Sequence, residues 1–505
     1  LSSFPTPAER RNSIVVLIAV CSAALILPLD FSGAAAATPA IGREFGGDPT
    51  ALAWVVNAFM LAFGSTLLTA GALADAFGRK RAFRMGLVLF VIVSIAMCFS
   101  PGLVVLDLLR LIQGVGAAAT LAGGSAALAQ EFRQGLARAR AFSLLGTTFG
   151  TGLAFGPTIA GVLIDSFGWR AIFLTGAIVG ALALVFGVPR LRETRDPGAA
   201  GPDWPGAICF TASLALLTAG LLQAATSGWK GALVEGLLAG AGLGAVLFAA
   251  IELRSKRPML DLTLFRYPRF VGVQLLPVAT TCSYVVLLVL LPSRFIGIEG
   301  HPELQAGLMM LGLSAPMLIV PFVTASLTRW VGPHLLSCCG LLIAAAGLIW
   351  LAEIPVGSAA FRLTPAVLTI GLGTAMPWGL MDGLSVSVVP AERAGMATGI
   401  FSTVRVAGEG IALAIARALL ASFSQRHLNG LTGPAATSDQ IANMGAWLAT
   451  GEVSRVSELL PSLGRASLQW VYAAAFRELL HVLTAIVVVS ALAVLVMLGR
   501  SARDG

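Results

Sequence analysis

The chain has 505 residues, of which 57% are hydrophobic and only 11% charged, with a formal net charge of +8. A soluble domain carries about 25% charged residues, so this sequence cannot furnish a water-exposed surface for a protein of its size. Nor does the positive balance read as nucleic-acid binding, because the cations fall in short loops between apolar runs and are not interleaved with aromatics on one face.

The length divides instead into membrane-crossing helices of about 20 residues each. Arg10 and Arg11 precede the first apolar run, 14–40. That run is too long for a signal-peptide core and is followed by no clean cleavage site, so it reads as a retained first span. Runs at 50–73, 82–100, 102–130, 139–164 and 170–188 complete a group of six. Two more follow at 205–225 and 232–252, then six at 270–293, 306–328, 334–352, 363–389, 394–421 and 476–498. An all-α membrane protein of fourteen transmembrane helices is expected, since no strand-type alternation supports a barrel. The six cysteines lie inside apolar runs and read as small hydrophobes, with no metal-ligand spacing. The segment 422–475, with Trp447 and Trp470, is the one long loop away from the termini. Its apolar residues predict short amphipathic helices lying on the membrane interface.

Loop charge sets the orientation. The loops on the side of the termini hold Arg79, Lys80, Arg81, Arg84, Arg190, Arg192, Arg254 and Arg329, among others. The opposite loops, to which Arg294 and Arg417 are assigned, hold roughly half as many cations, which predicts that both termini are cytoplasmic. An even number of spans requires the same.

The chain also repeats itself. Leu73 and Gly78 have counterparts in Leu327 and Gly332, with Arg329 in place of Asp75, and Gly114-Val115-Gly116 is matched by Gly371-Leu372-Gly373. A near-constant offset implies two halves of like topology. The expected division is 1–190, a two-helix insert at 191–260, and 261–505.

Several stretches carry a family pattern. Gly71, Leu73, Asp75, Gly78, Arg79, Lys80 and Arg81 fall on G-x-L-x-D-x-x-G-R-K-R, the loop between the second and third helices of the major facilitator superfamily. Arg110, Gln113, Gly114 and Gly116 resemble its fourth-span motif. Gly152, Gly156, Pro157 and Gly161 resemble the antiporter motif of the fifth span, with Ala160 in place of one glycine. Leu29-Asp30-Phe31-Ser32 is similar to the first span of the fourteen-helix drug:proton antiporters, with Ser32 for the usual Thr. The resemblance implies a major facilitator fold in a 6+2+6 arrangement. It also implies a cytoplasmic latch of Asp75 and Arg79, with Gly71 and Gly78 allowing close helix approach. Gly152, Gly156 and Pro157 would then bend and thin the fifth span where the halves meet.

An ionisable side chain at membrane depth costs several kcal/mol unless it is paired or wetted, so each is a candidate for function. Five qualify: Asp30, Arg110, Asp382, Arg405 and Glu409. Helical rise places Asp30 level with Arg110, and Asp382 level with Arg405 at roughly 12 to 16 Å from the cytoplasmic side. Three acids against two bases leave Glu409 as the odd carboxylate, although Arg405 stands one turn away. A spare carboxylate suits a carrier that holds either a proton or a positively charged ligand. Phe59, Met60, Tyr284, Met376 and Trp378 are candidate cavity-lining residues.

Together these readings predict a multi-pass exporter of the bacterial inner membrane, monomeric and without cofactor or metal. It would draw on the proton gradient to expel amphipathic, cationic small molecules. An exporter of an endogenous or anionic metabolite, with Arg110 and Arg405 as counter-ions, is the alternative on the same fold. A lipid-modifying membrane enzyme is a distant one, disfavoured by the absence of H-x-x-x-D or metal-spaced histidines.

Overall fold

The structure, a computed structural model, describes residues 7–47, 49–132, 135–195, 203–255, 258, 260, 262–389, 394–432, 437–459 and 463–499. All regular structure within these residues is helical. Six rods come first: α1 (Pro7–Phe45), α2 (Pro49–Phe77), α3 (Arg79–Met97), α4 (Leu103–Glu131), α5 (Gly135–Phe167) and α6 (Arg170–Leu182). Then come α7 (Trp204–Ser227) and α8 (Ala232–Arg254), which pack on each other.

The ninth rod joins α9 (Pro268–Thr280) to α10 (Val286–Pro292) through a turn of π-helix at Thr281–Val285. The tenth strings together α11 (Glu303–Met309), α12 (Leu311–Ser314) and α13 (Val320–Leu327). It breaks into a tighter turn at Ala315–Leu318, where Pro316 and Pro321 remove backbone donors. The remainder is α14 (Pro333–Ala352), α15 (Ala360–Ser387), α16 (Ala394–Thr432), α17 (Ser438–Thr450), α18 (Val453–Leu459) and α19 (Arg465–Gly499).

Among the described residues thirteen rods are long and apolar enough to cross a membrane. Helix α3 has 19 residues, about 28 Å of rise, but Arg79, Lys80, Arg81 and Arg84 crowd its first two turns. With it, each of the fourteen expected apolar runs lies in one rod. Large apolar side chains such as Met85, Ile92, Val104 and Leu108 face outward, as a lipid-facing surface requires.

The segment 422–475 differs from expectation. Helices α16 and α19 take up both its ends, and α17 between them packs into the bundle. Its residues Met444 to Thr450 are buried against α16, α2 and α7. The cause is its composition: Gly445 and Ala446 let the backbone approach Ala421 and Gln425 of α16, while Met444, Trp447 and Leu448 supply apolar filling. The helix is held at both ends. Thr437 and Gln440 form a capping box, and Gly451 closes it in the left-handed region at φ +89°.

The repeat is visible in the packing. Gly114 of α4 lies against the Phe59 carbonyl of α2, and Gly371 of α15 lies against the Leu313 carbonyl of α12. Gly116 faces Gly86 of α3 as Gly373 faces Gly340 of α14. Small residues replace each other at equivalent crossings because only they allow backbones to close to this distance. Counting antiparallel rods puts Pro7 and Gly499 at one end of the bundle, the terminal face, with Gly499 beside His334. The turns after Phe45, Met97 and Phe167 lie at the other end, the distal face.

Candidate functional site

Two carboxylate–guanidinium pairs and one lone carboxylate form the candidate site. In the first half, Arg110 and Asp30 are fully buried, with Nη1 donating to Asp30 Oδ2 at 2.5 Å. Arg110 Nη1 also donates to Gln113 Oε1, and its Nε donates to the Val55 carbonyl at 2.8 Å. Gln113 in turn donates to Ser94 Oγ, and the Phe59 ring lies 4.4 Å from the guanidinium. Phe59 is thus a floor for Arg110 rather than a cavity wall, which corrects its expected place. Four helices converge here because Gly114 and Gly116 bring α4 onto α2 and α3.

In the second half, Arg405 Nη1 donates to Asp382 Oδ1 at 3.2 Å. Asp382 lies five residues from the end of α15, about 8 Å, and Arg405 eleven from the start of α16, about 16 Å. They meet because side chains lean toward the N-terminus of their own helix, so those of these antiparallel neighbours lean toward each other. Asp382 keeps 49% of its side-chain surface exposed. Helix α5 of the first half reaches this pair, with the Phe149 ring 5.2 Å from the Arg405 guanidinium and Gly146 beside Asp382.

Glu409 lies one turn beyond Arg405 and is buried. Its Oε1 has no hydrogen-bond partner, and among the described residues no ion pair reaches it. Its neighbours Ala407 and Gly410 meet Gly64 and Met60 of α2, so it stands at a close crossing of the two halves. A carboxylate so placed can hold a proton or a positively charged ligand. Its state bears on whether the crossing can open to water.

The motif loop is ordered by charge. Arg79 donates to Asp75 from Nε at 3.0 Å and from Nη2 at 2.8 Å, and reaches Gln130 of α4 through Nη1. The backbone of Arg79 and Lys80 is held by Thr194 and Glu193. These described polar contacts all stay within the first six helices and the segment leaving them. Gly78 adopts φ +122° with Glu193 against it, and so needs to be glycine. Gly71 is different: nothing lies within 4 Å of a Cβ built there, so close approach is not its role in this conformation.

Gly152 and Gly156 also depart from expectation. They pack on Leu25, Pro28 and Ser32 of α1, inside the first half. The halves meet one face round the helix. There the Pro157 carbonyl and Thr158 face Gly307 of α11, Thr158 Oγ1 donates to the Gly307 carbonyl at 2.8 Å, and Ser314 donates to the Ala154 carbonyl. Helical periodicity separates these faces, but only the neighbours tell which face meets which half.

Sequence reasoning missed two buried cations by assigning them to loops. Arg294 pairs with Glu299 at 2.8 Å, both 1% exposed, under the Phe476 ring. Arg417 is buried in α16 with no carboxylate partner among the described residues. Their signal was present, since Arg417 interrupts an Ala- and Leu-rich stretch of α16. Of the other expected lining residues, Tyr284 and Trp378 lie side by side at 6.1 Å, and the Trp378 indole reaches Gly150 of α5. Met60 is buried against α16, and the Cβ of half-buried Met376 lies against Gly340 of α14.

A family model described as Major Facilitator Superfamily matches residues 20–413. The chain is 32% identical over 418 residues to the multidrug resistance protein Stp of Mycobacterium tuberculosis, covering 82% of this chain and 77% of that protein. It is 30% identical over 466 residues to the cephamycin export protein CmcT of Amycolatopsis lactamdurans, covering 91% and 95%. The puromycin resistance protein pur8 of Streptomyces alboniger is also 30% identical, with 84% and 85% covered. Among solved structures, one described under substrate recognition in proton dependent oligopeptide transporters superposes with a TM-score of 0.60 at 13% identity, covering 96% of this chain and 99% of that one. That likeness concerns the fold.

Proposed function

We propose, since the chain belongs to the Major Facilitator Superfamily and is a multi-pass transporter rather than an enzyme, that it exports amphipathic, cationic small molecules in exchange for protons. The kinship to resistance and export proteins supports outward transport of drug-like small molecules, while the cationic charge rests on Glu409. The observation that carries the coupling is Glu409, a buried carboxylate without a partner at a crossing of the two halves. Asp30 and Asp382 each have an arginine, whereas the arginine nearest Glu409, Arg405, is engaged by Asp382 and leaves Glu409 free to take a proton or a ligand.

In this reading the terminal face is cytoplasmic, in keeping with its loop cations. The distal face is outer and is closed in this conformation. Arg43 pairs with Glu303 across the halves, and Arg455 Nη1 donates to the Gly47 carbonyl at 2.9 Å. Cargo enters from the terminal face past the half-exposed Asp382–Arg405 pair and the Phe149 ring, and reaches Glu409. A cation there displaces the proton. Closure of the terminal face and opening of the distal one then releases the cargo outward, and a proton returns to Glu409.

Everted vesicles or liposomes carrying the full chain test this. Glu409→Gln should insert and fold yet lose efflux driven by a pH gradient, and cationic ligand binding should weaken and lose its pH dependence. Unchanged gradient-driven efflux in that variant removes Glu409 from the mechanism.

A further inference from the structure

We propose that the cleft enclosed by α2, α7, α16 and α17 binds a monovalent, chloride-sized anion against the Arg417 guanidinium. The cleft lies near the distal face and is lined by Thr50 and Ala53 of α2, Ala225 of α7, Arg417 of α16, and Ala449 and Thr450 of α17. Arg417 is 3% exposed, and its Nε has no hydrogen-bond partner. Its Nη1 makes one long bond, 3.4 Å, to the Ala53 carbonyl, which already accepts from the Asn57 side chain at 3.0 Å.

Among the described residues no carboxylate supplies the missing negative charge. Glu409 is eight residues earlier on α16, about 12 Å along the axis, too far for contact. In the last turn of α17 the Ala446, Trp447 and Leu448 carbonyls are taken up within the helix end. Gly451 N and Glu452 N bond the Leu448 and Trp447 carbonyls, and Thr450 Oγ1 shares those of Ala446 and Trp447. The first turn of α2 adds the positive end of a 29-residue helix to the same cleft. A buried cation costs several kcal/mol unless it is compensated, and a helix N-terminus beside it raises that cost. Both features are what an anion site is made of. The space admits little more than one water-sized occupant, which excludes a lipid phosphate headgroup and any drug-sized cargo. Chloride is the abundant monovalent anion near that size, and being somewhat larger than water it would be seated by small shifts of the lining side chains. An anion there would join the first half, the two-helix insert, the second half and α17.

The test is thermal unfolding of the purified full chain in detergent, in sodium chloride against sodium gluconate at equal ionic strength. Chloride and bromide should raise the midpoint saturably, by about 2–4 °C, while gluconate should not. Crystals grown in bromide should give an anomalous peak beside Arg417. Arg417→Gln should lose the halide response and Arg417→Lys should keep it with altered affinity. Should the Gln variant fail to fold, the wild-type titration and the bromide peak decide. A midpoint indifferent to the anion, with no bromide at Arg417, overturns the proposal and assigns the cleft to water.

Discussion

The two halves each hold a carboxylate–arginine pair, and the pairs are built for opposite ends. Asp30–Arg110 is sealed, with both side chains fully buried and the guanidinium held by Gln113, the Val55 carbonyl and the Phe59 ring. Asp382–Arg405 is longer, half-exposed on its acid and shared with an aromatic of the other half. A charge pair in hydrocarbon can brace helices only if it stays closed, whereas one that answers to a ligand must remain within reach of it. Similar residues on repeated scaffolds are therefore sealed in one half and left accessible in the other.

The largest expected effect lies in the sealed pair. Arg110→Ala strands a buried Asp30 and should cost about 3–5 kcal/mol, read as loss of folded protein on size exclusion and a fall in unfolding midpoint. Combining Arg110→Gln with Asp30→Asn should recover a large part of that loss. If the single variant folds normally and loses only transport, the contrast between the halves is wrong.

Asp382→Asn should cost under about 1 kcal/mol in stability, because the pair is partly solvated, yet slow efflux several-fold by freeing Arg405 to pair with Glu409. Equal destabilisation by Arg110→Ala and Asp382→Asn would collapse the comparison. The motif loop sharpens it at the level of the backbone. Gly78→Ala meets both a left-handed φ and Glu193 and should cost about 1–3 kcal/mol, while Gly71→Ala meets open space and should be nearly silent in stability. Should Gly71→Ala nevertheless impair transport, Gly71 makes its close approach in another state of the cycle.

The smallest effect concerns Glu452, between α17 and α18 and outside the spanning rods. Burial beside Gly42 raises its pKa, more than Arg455 and Arg43 lower it. A raised carboxylate contributes most to stability while protonated, below its unfolded pKa. That contribution is lost as pH rises through the folded value. The closed distal face should therefore weaken modestly with rising pH, and Glu452→Gln should flatten the dependence of the unfolding midpoint on pH. An unchanged slope would mean that the distal closure does not sense Glu452.

Much of this was readable in the chain because it depends on local order. Apolar runs mark the rods, and the stranded charges Asp30, Arg110, Asp382, Arg405 and Glu409 mark themselves by interrupting them. Helical rise alone puts each arginine near its acid and leaves Glu409 over. Which face of a helix meets which neighbour is not local. Gly152 and Gly156 face α1 while Thr158 and Gly161 face α11, a difference of rotation that depends on where α1 and α11 lie. For the same reason α17 is buried although its composition suits an interface, and Arg417 is a buried cation although the loop-charge count assigns it to a loop. Hydropathy and period determine that a helix forms and crosses. Burial, pairing and partner are properties of several helices at once, and only their packing decides them.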